Sequence, residues 1–168
     1  MTSLFGELNA IETICFLTIK NQLDRFLISI PNSTEKSIDI YISPDSRPKI
    51  DVDVSTNSPY IKVKLKFTGR IDSMSENSDY LSPDILNYVS SSCNNYLETV
   101  FSDFLYKTSK DLKSDICAFG NNALSKFTTS KQLDEYQWLE NFKYSFFDVE
   151  VDTTIKSSML LTETKKKD

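Results

Sequence analysis

The 168-residue chain has no histidine and only three glycines, and both shortages exclude chemistry. Without histidine the commonest general base and the commonest neutral metal ligand are missing. A Ser/His/Asp or Cys/His nucleophile pair cannot be assembled from this chain. Gly6, Gly69 and Gly120 are too few and too far apart for a G-x-G-x-x-G or G-x-x-x-x-G-K loop that cradles phosphates. Cysteine is scarce as well. Cys15, Cys93 and Cys117 make an odd count with no C-x-x-C, and each has apolar neighbours, which predicts three small buried hydrophobes. Positive charge is the minority: 19 Lys and Arg face 24 Asp and Glu, for a net charge of −5. Nucleic acid is therefore not an expected partner, since a basic stripe would be needed. No apolar run approaches the ~20 residues of a membrane span. Residues 1–20 lack the early basic residues and the cleavage site of a signal peptide. The chain as given is expected to be soluble.

What is present is an ordinary globular composition, 39% hydrophobic and 26% charged, rich in aromatics with eleven Phe, eight Tyr and one Trp. A chain of this length buries roughly 70% of its unfolded surface and folds without a staple. Residues 1–164 are expected to form one domain, and Lys165-Lys166-Lys167-Asp168 a disordered tail.

Asn9 and Glu12 have the spacing of a capping box, and Ile11, Ile14, Cys15 and Leu17 follow at helical spacing. Phe26–Ile30 reads as a short strand ended by Pro31. Ile38, Ile40 and Ile42 share one face of a strand. Ile50, Val52 and Val54 do the same, as do Ile61, Val63, Leu65 and Phe67. The other faces carry Asp51 and Asp53 on one strand and Lys62, Lys64 and Lys66 on the next, which would oppose one another in an antiparallel hairpin. Ser82-Pro83-Asp84 opens the longest helix, which runs to about Lys113. Its stripe is Leu86, Val89, Cys93, Tyr96, Leu97, Val100, Phe101, Phe104, Leu105 and Leu112, with Ser90, Ser91, Ser92, Asn94 and Asn95 on the rim.

Asp115–Gly120 then forms an apolar corner, where Gly120 can adopt a left-handed conformation. Thr129 and Gln132 make a second capping box, ahead of one last helix carrying Leu133, Tyr136, Leu139 and Phe142, with Trp138 beside the stripe. Val149, Val151, Thr153 and Ile155 form a closing strand whose other face shows Glu150 and Asp152, able to pair with the lysine row. The expected architecture is α+β: an antiparallel sheet of four to five strands, with a long helix and two to three shorter helices packed mainly on one face.

The order of three pieces resembles a known family. Asp115-Ile116-Cys117-Ala118-Phe119-Gly120, Trp138-Leu139-Glu140-Asn141-Phe142 and Val149-Glu150-Val151-Asp152 are similar to the D-[IV]-x-G-F-G, W-x-x-x-F and V-x-V stretches of the Ger(x)C or GerAC family, in its C-terminal third domain. Leu4-Phe5-Gly6-Glu7-Leu8 and Glu12-Thr13 resemble its L-x-G-x-L and E-[ST]. Ala118 stands where the family usually has Gly, and Ser157-Ser158 where a Gly commonly follows the last strand.

The resemblance marks Gly6, Glu12, Asp115, Phe119, Gly120, Trp138 and Phe142 as signature positions of a structural kind. It implies the lipoprotein C subunit of a spore germinant receptor, on the outer face of the spore inner membrane, working with A and B subunits. It implies no enzymatic activity and no cofactor. Cys15 does not follow a lipobox, so the lipid anchor and two upstream domains would lie outside this chain.

Three functions follow. The first is a non-enzymatic domain that makes protein contacts, with Lys62, Lys64 and Lys66 as a contact face. The second is a small-molecule module with a cavity between helix and sheet lined by Tyr88, Tyr96, Tyr106 and Trp138. The third is a carboxylate enzyme built on Asp51/Asp53 or Glu150/Asp152, which would need a carboxylate titrating near neutrality. A parallel crossover in the sheet, or a long helix standing free of it, would count against the family.

Overall fold

A computed structural model describes residues 7–31, 37–73 and 83–156. Gly6, Ser82, the Ser157-Ser158 pair and the Lys165–Asp168 tail lie outside them. The described residues form five strands: β1 (Phe26–Pro31), β2 (Ser37–Pro44), β3 (Lys49–Asp53), β4 (Tyr60–Ser73) and β5 (Phe146–Lys156). The helices among the described residues are α1 (Ala10–Ile19), α2 (Pro83–Lys110), α3 (Gly120–Ala123), α4 (Ser130–Tyr136) and α5 (Trp138–Phe142). A 3-10 turn over Leu124–Lys126 follows α3.

The expected α+β arrangement is present. β4 is the hub of the sheet because its 14 residues are long enough to carry two neighbours end to end. β3 pairs with its first half and β2 with its second, both antiparallel, and β1 closes antiparallel on β2. β5 takes the opposite edge of β4 and runs parallel to it over Tyr60–Arg70. This parallel pair departs from the all-antiparallel expectation. Alternation reports which face a side chain takes, not which neighbour the strand chooses or in which direction it runs. The long α2 lies between β4 and β5 in the chain and supplies the crossover that a parallel pair requires.

The inward faces are the predicted ones. Ile40, Ile42, Ile61, Val63, Leu65 and Phe67 are buried against Val89, Cys93, Leu97, Phe101, Phe104 and Leu105 of α2. Phe26 meets Phe67 edge to face at 5.8 Å, and Phe67 meets Phe101 at 6.3 Å. The three cysteines are free and buried, and burial pushes each thiol up to about 12.

α2 does more than cover the sheet. Ser90 and Asn94 of its rim and Glu98 recur every four positions, one above another along the helix. Ser90 donates to the Thr153 carbonyl, while Thr153 N–H donates to Asn94 and Val151 N–H to Glu98. Two residues read in sequence as rim, together with Glu98, which that reading left out, thus satisfy the outer edge of β5, which would otherwise expose unpaired backbone groups.

α1 begins as predicted. Asn9 accepts from the Glu12 N–H and Glu12 accepts from the Asn9 N–H, both at 2.9 Å. The later box is only half made. Thr129 accepts from Gln132 N–H, but Gln132 reaches back to Thr128 instead of Thr129. The last predicted helix is two helices. Gln137 is left-handed, with φ 51°, and ends α4 before α5 begins. That break resets the helical phase, so Trp138 turns inward and Leu139 is left 61% exposed.

Candidate functional site

Two groups of sequence-marked residues are brought together, at opposite levels of burial. The first is the corner after α2. Asp115 accepts through Oδ1 from the Phe119 N–H at 2.9 Å, and through Oδ2 from the Gly120 N–H at 2.7 Å and the Trp138 Nε1–H at 2.9 Å. One carboxylate thereby ties the start of α3 to the start of α5. Phe119 and Phe142 are fully buried beside it and both reach Phe147 of β5, at 6.2 and 6.1 Å between ring centres. Trp138 packs on Phe142 at 5.8 Å.

Gly120 is not left-handed, contrary to the sequence expectation. It is needed for space. A Cβ there would stand 2.9 Å from Trp138 Nε1 and 3.3 Å from Asp115 Oδ2. The left-handed residue is Ala118, with φ 63°. Here an L side chain adopts a conformation that glycine takes without strain. Glu12 belongs to a separate lock. Its carboxylate receives Lys107 Nζ at 2.7 and 2.9 Å, tying α1 to the end of α2. The Lys107 ammonium beside it, rather than the cap, is the main reason its carboxyl sits below the ordinary range.

The second group is the outer face of the sheet. Asp51 stands opposite Lys62 in the register, as the hairpin reading expects, but Asp53 stands opposite Tyr60. Neither is a lysine-row partner among the described ion pairs. Asp51 turns to Lys126 at 2.8 Å, and Asp53 accepts from the Ser55 N–H at 2.8 Å. The lysines turn the other way, to β5. Lys62 meets Glu150 and Asp148, Lys64 meets Glu150 at 2.7 Å, and Lys66 meets Asp152 at 3.5 Å.

The lysine row therefore pairs with the closing strand, as anticipated. Asp148 and Glu150 are held below the usual carboxylate range, chiefly by Lys62. Asp51 is lowered by Lys126 and Asp53 by its bonds to Ser55. These shifts run opposite to what an acid catalyst at neutral pH requires.

The ladder begins with two aromatic side chains. Tyr60 and Phe146 are register partners at the start of β4 and β5, and both point to the outer face, 45% and 58% exposed. The Tyr60 hydroxyl donates to Asp148 at 2.9 Å, so the ring is held against the ladder. Composition alone did not single out this pair. The signal was its even-numbered position in strands whose odd-numbered residues are buried.

The four proposed cavity liners do not converge. Tyr88 is exposed, and Tyr96 and Tyr106 pack at the core margin. The Tyr106 hydroxyl accepts from Phe147 N–H at 3.4 Å, and Trp138 belongs to the Asp115 corner. Among the described residues no group of three His, Cys, Asp or Glu side chains is placed to hold a metal ion, and no helix is long and apolar enough to cross a membrane.

Comparison with curated proteins returns no match. Among solved structures, the chain is similar to one described as "Crystal Structure of the GerBC protein", with a TM-score of 0.72 and 15% identity. The likeness covers 90% of this chain and 47% of the other, so the chain spans about half the length of its structural neighbour. At that identity the likeness establishes the fold. The parallel β4–β5 crossover, a feature set against the family on sequence grounds, occurs in a chain whose family match extends over nearly all of it. Residues 2–159 match the family model described as "Spore germination B3/ GerAC like, C-terminal", and the chain belongs to that family.

Proposed function

We propose that this domain has no chemistry of its own and serves a spore germinant receptor C subunit by contacting the other receptor subunits, A and B, through the outer face of its sheet. Family membership supports the receptor setting. The observation that carries the contact face is the exposed Tyr60–Phe146 pair at the head of the Lys62, Lys64 and Lys66 ladder. Exposed aromatic anchors beside charged residues are the composition that protein interfaces favour.

The paired lysines supply register and specificity more than affinity, because each already has a carboxylate neighbour. On this reading the domain sits on the extracytoplasmic side of the spore inner membrane, held there by a lipid anchor elsewhere in the protein, and residues 1–164 act as one unit. The signature residues Asp115, Phe119, Gly120, Trp138 and Phe142 hold the corner that positions the start of β5.

The test is a pull-down of the domain with full-length A and B subunits. Wild type is expected to capture at least one subunit, and both the Lys62→Glu/Lys64→Glu/Lys66→Glu and the Tyr60→Ser/Phe146→Ser variants to lose it. Failure of wild type to capture either subunit removes the contact role. Equal capture by both variants moves the contact away from this face.

A further inference from the structure

The charge pairing on the outer face stops part-way along β4. Lys62 to Lys66 meet β5 carboxylates, but after Asp152 that face of β5 continues with Thr154 and Lys156. β4 goes on through Thr68 to Arg70, and Arg70 is the register partner of Lys156. On its other side, β2 places Ser43 opposite Thr68 and Tyr41 opposite Arg70. Arg25, one residue before the Phe26–Ile42 pair of β1, falls in line with Ser43. Arg25, Tyr41, Ser43, Thr68 and Arg70 line a pocket of about 220 Å³.

The pocket is cationic, with Lys156 beside it on β5. Arg25, Arg70 and Lys156 form no ion pair among the described residues. The Arg25 guanidinium lies over the Tyr41 ring, 5.8 Å from its centre, which leans it across β2. One carboxylate stands at the wall: Asp45 Oδ1 accepts from the Thr68 hydroxyl at 3.4 Å. Asp39, further along β2, accepts from Ser29. The chain has three arginines, and two of them are in this pocket, whereas the paired stretch of the same strand uses lysine.

We propose that this pocket binds a phosphate group, gripped by Arg25 and Arg70 from two sides with the Ser43 hydroxyl between them. Strand spacing of ~4.8 Å and a rise of ~3.3 Å per residue set the two arginine backbones roughly 12 Å apart on a diagonal. Two long side chains can close that span on one small anion. The guanidinium fork matches phosphate geometry bidentately. A tetrahedral oxyanion has enough acceptor oxygens for two forks and a hydroxyl, where a carboxylate has only two oxygens. Phosphate of this kind is offered both by free inorganic phosphate and by an anionic lipid headgroup.

Two titrations test the site on the full chain. In the first, amide NMR shifts are followed as inorganic phosphate replaces chloride at constant ionic strength. In the second, the chain is sedimented with phosphatidylglycerol vesicles, and with phosphatidylcholine vesicles for comparison.

Saturable shifts at residues 41–43 and 68–70, weakened at least tenfold in Arg25→Gln/Arg70→Gln and unchanged in Lys131→Gln, support the site with free phosphate as ligand. Sedimentation with phosphatidylglycerol that needs both arginines supports the headgroup. The proposal is overturned if neither response appears, or if the double variant responds like wild type while melting at the same temperature. Should the double variant melt early, Arg70→Gln alone carries the comparison.

Discussion

At the corner after α2, one carboxylate, Asp115, meets three N–H donors that backbone and a packed indole hold in place. Along β4 and β5, three lysines and three carboxylates meet one another on a solvated face. Both clusters satisfy charge, yet their energetics differ. The corner's donors are ordered by the fold itself, and removing Asp115 would strand them. The ladder's partners are long, half-exposed and screened by salt, and water substitutes for whichever is removed. The corner is therefore expected to carry more of the folding stability than the ladder does.

Several substitutions probe that contrast, starting with the largest effect. Asp115→Ala should destabilise the domain by about 3 kcal/mol, read as a lower urea midpoint at constant slope, because three donors lose their acceptor at once. Gly120→Ala should cost about 2 kcal/mol by driving Trp138 off Asp115. A change in Trp138 fluorescence should accompany it; a stable Gly120→Ala with unaltered fluorescence would show that the corner is looser than its geometry.

Glu12→Gln should cost about 2 kcal/mol near neutral pH, since it removes the charge of the Lys107 bond while an amide oxygen can still cap. The sign with pH follows from the direction of the Glu12 shift. Its carboxyl is lowered in the folded state, so its contribution is fully present above the ordinary value of 4.5. It is lost as pH falls through the lower folded value. Wild type and Glu12→Gln should therefore converge in melting temperature below that range and diverge above it.

Ala118→Gly should stabilise by about 0.5–1 kcal/mol, because it relieves a left-handed alanine at some entropic cost in the unfolded chain. Glu150→Gln should do least. The expectation is an unchanged melting temperature in moderate salt, and a clear loss there would place the ladder with the corner as part of the folding core.

Much of this was legible in the residues. The Asn9–Glu12 box, the apolar faces of β2, β3 and β4, the stripe of α2 and the two faces of β5 all appear where alternation and capping chemistry place them. The departures share a cause. Gln137 carries no breaker signature, so the phase reset that turns Trp138 toward the core and exposes Leu139 could not be seen in a helical wheel. Ser90 and Asn94 read as rim, and Glu98 as nothing in particular, until β5 arrives beside them. The Arg25–Arg70 pocket joins residues 45 positions apart in sequence, one just ahead of β1 and the other on β4, with β2 between them.

Local periodicity and capping chemistry by themselves determined which segments are helix or strand and which side of each is apolar, because those depend on neighbours within a few residues. Which edge of β4 receives β5, in which direction, and which carboxylate each lysine meets were decided by the tertiary structure alone. Those choices depend on loop closure and on fitting α2 over the sheet, and they leave no periodic mark in the chain.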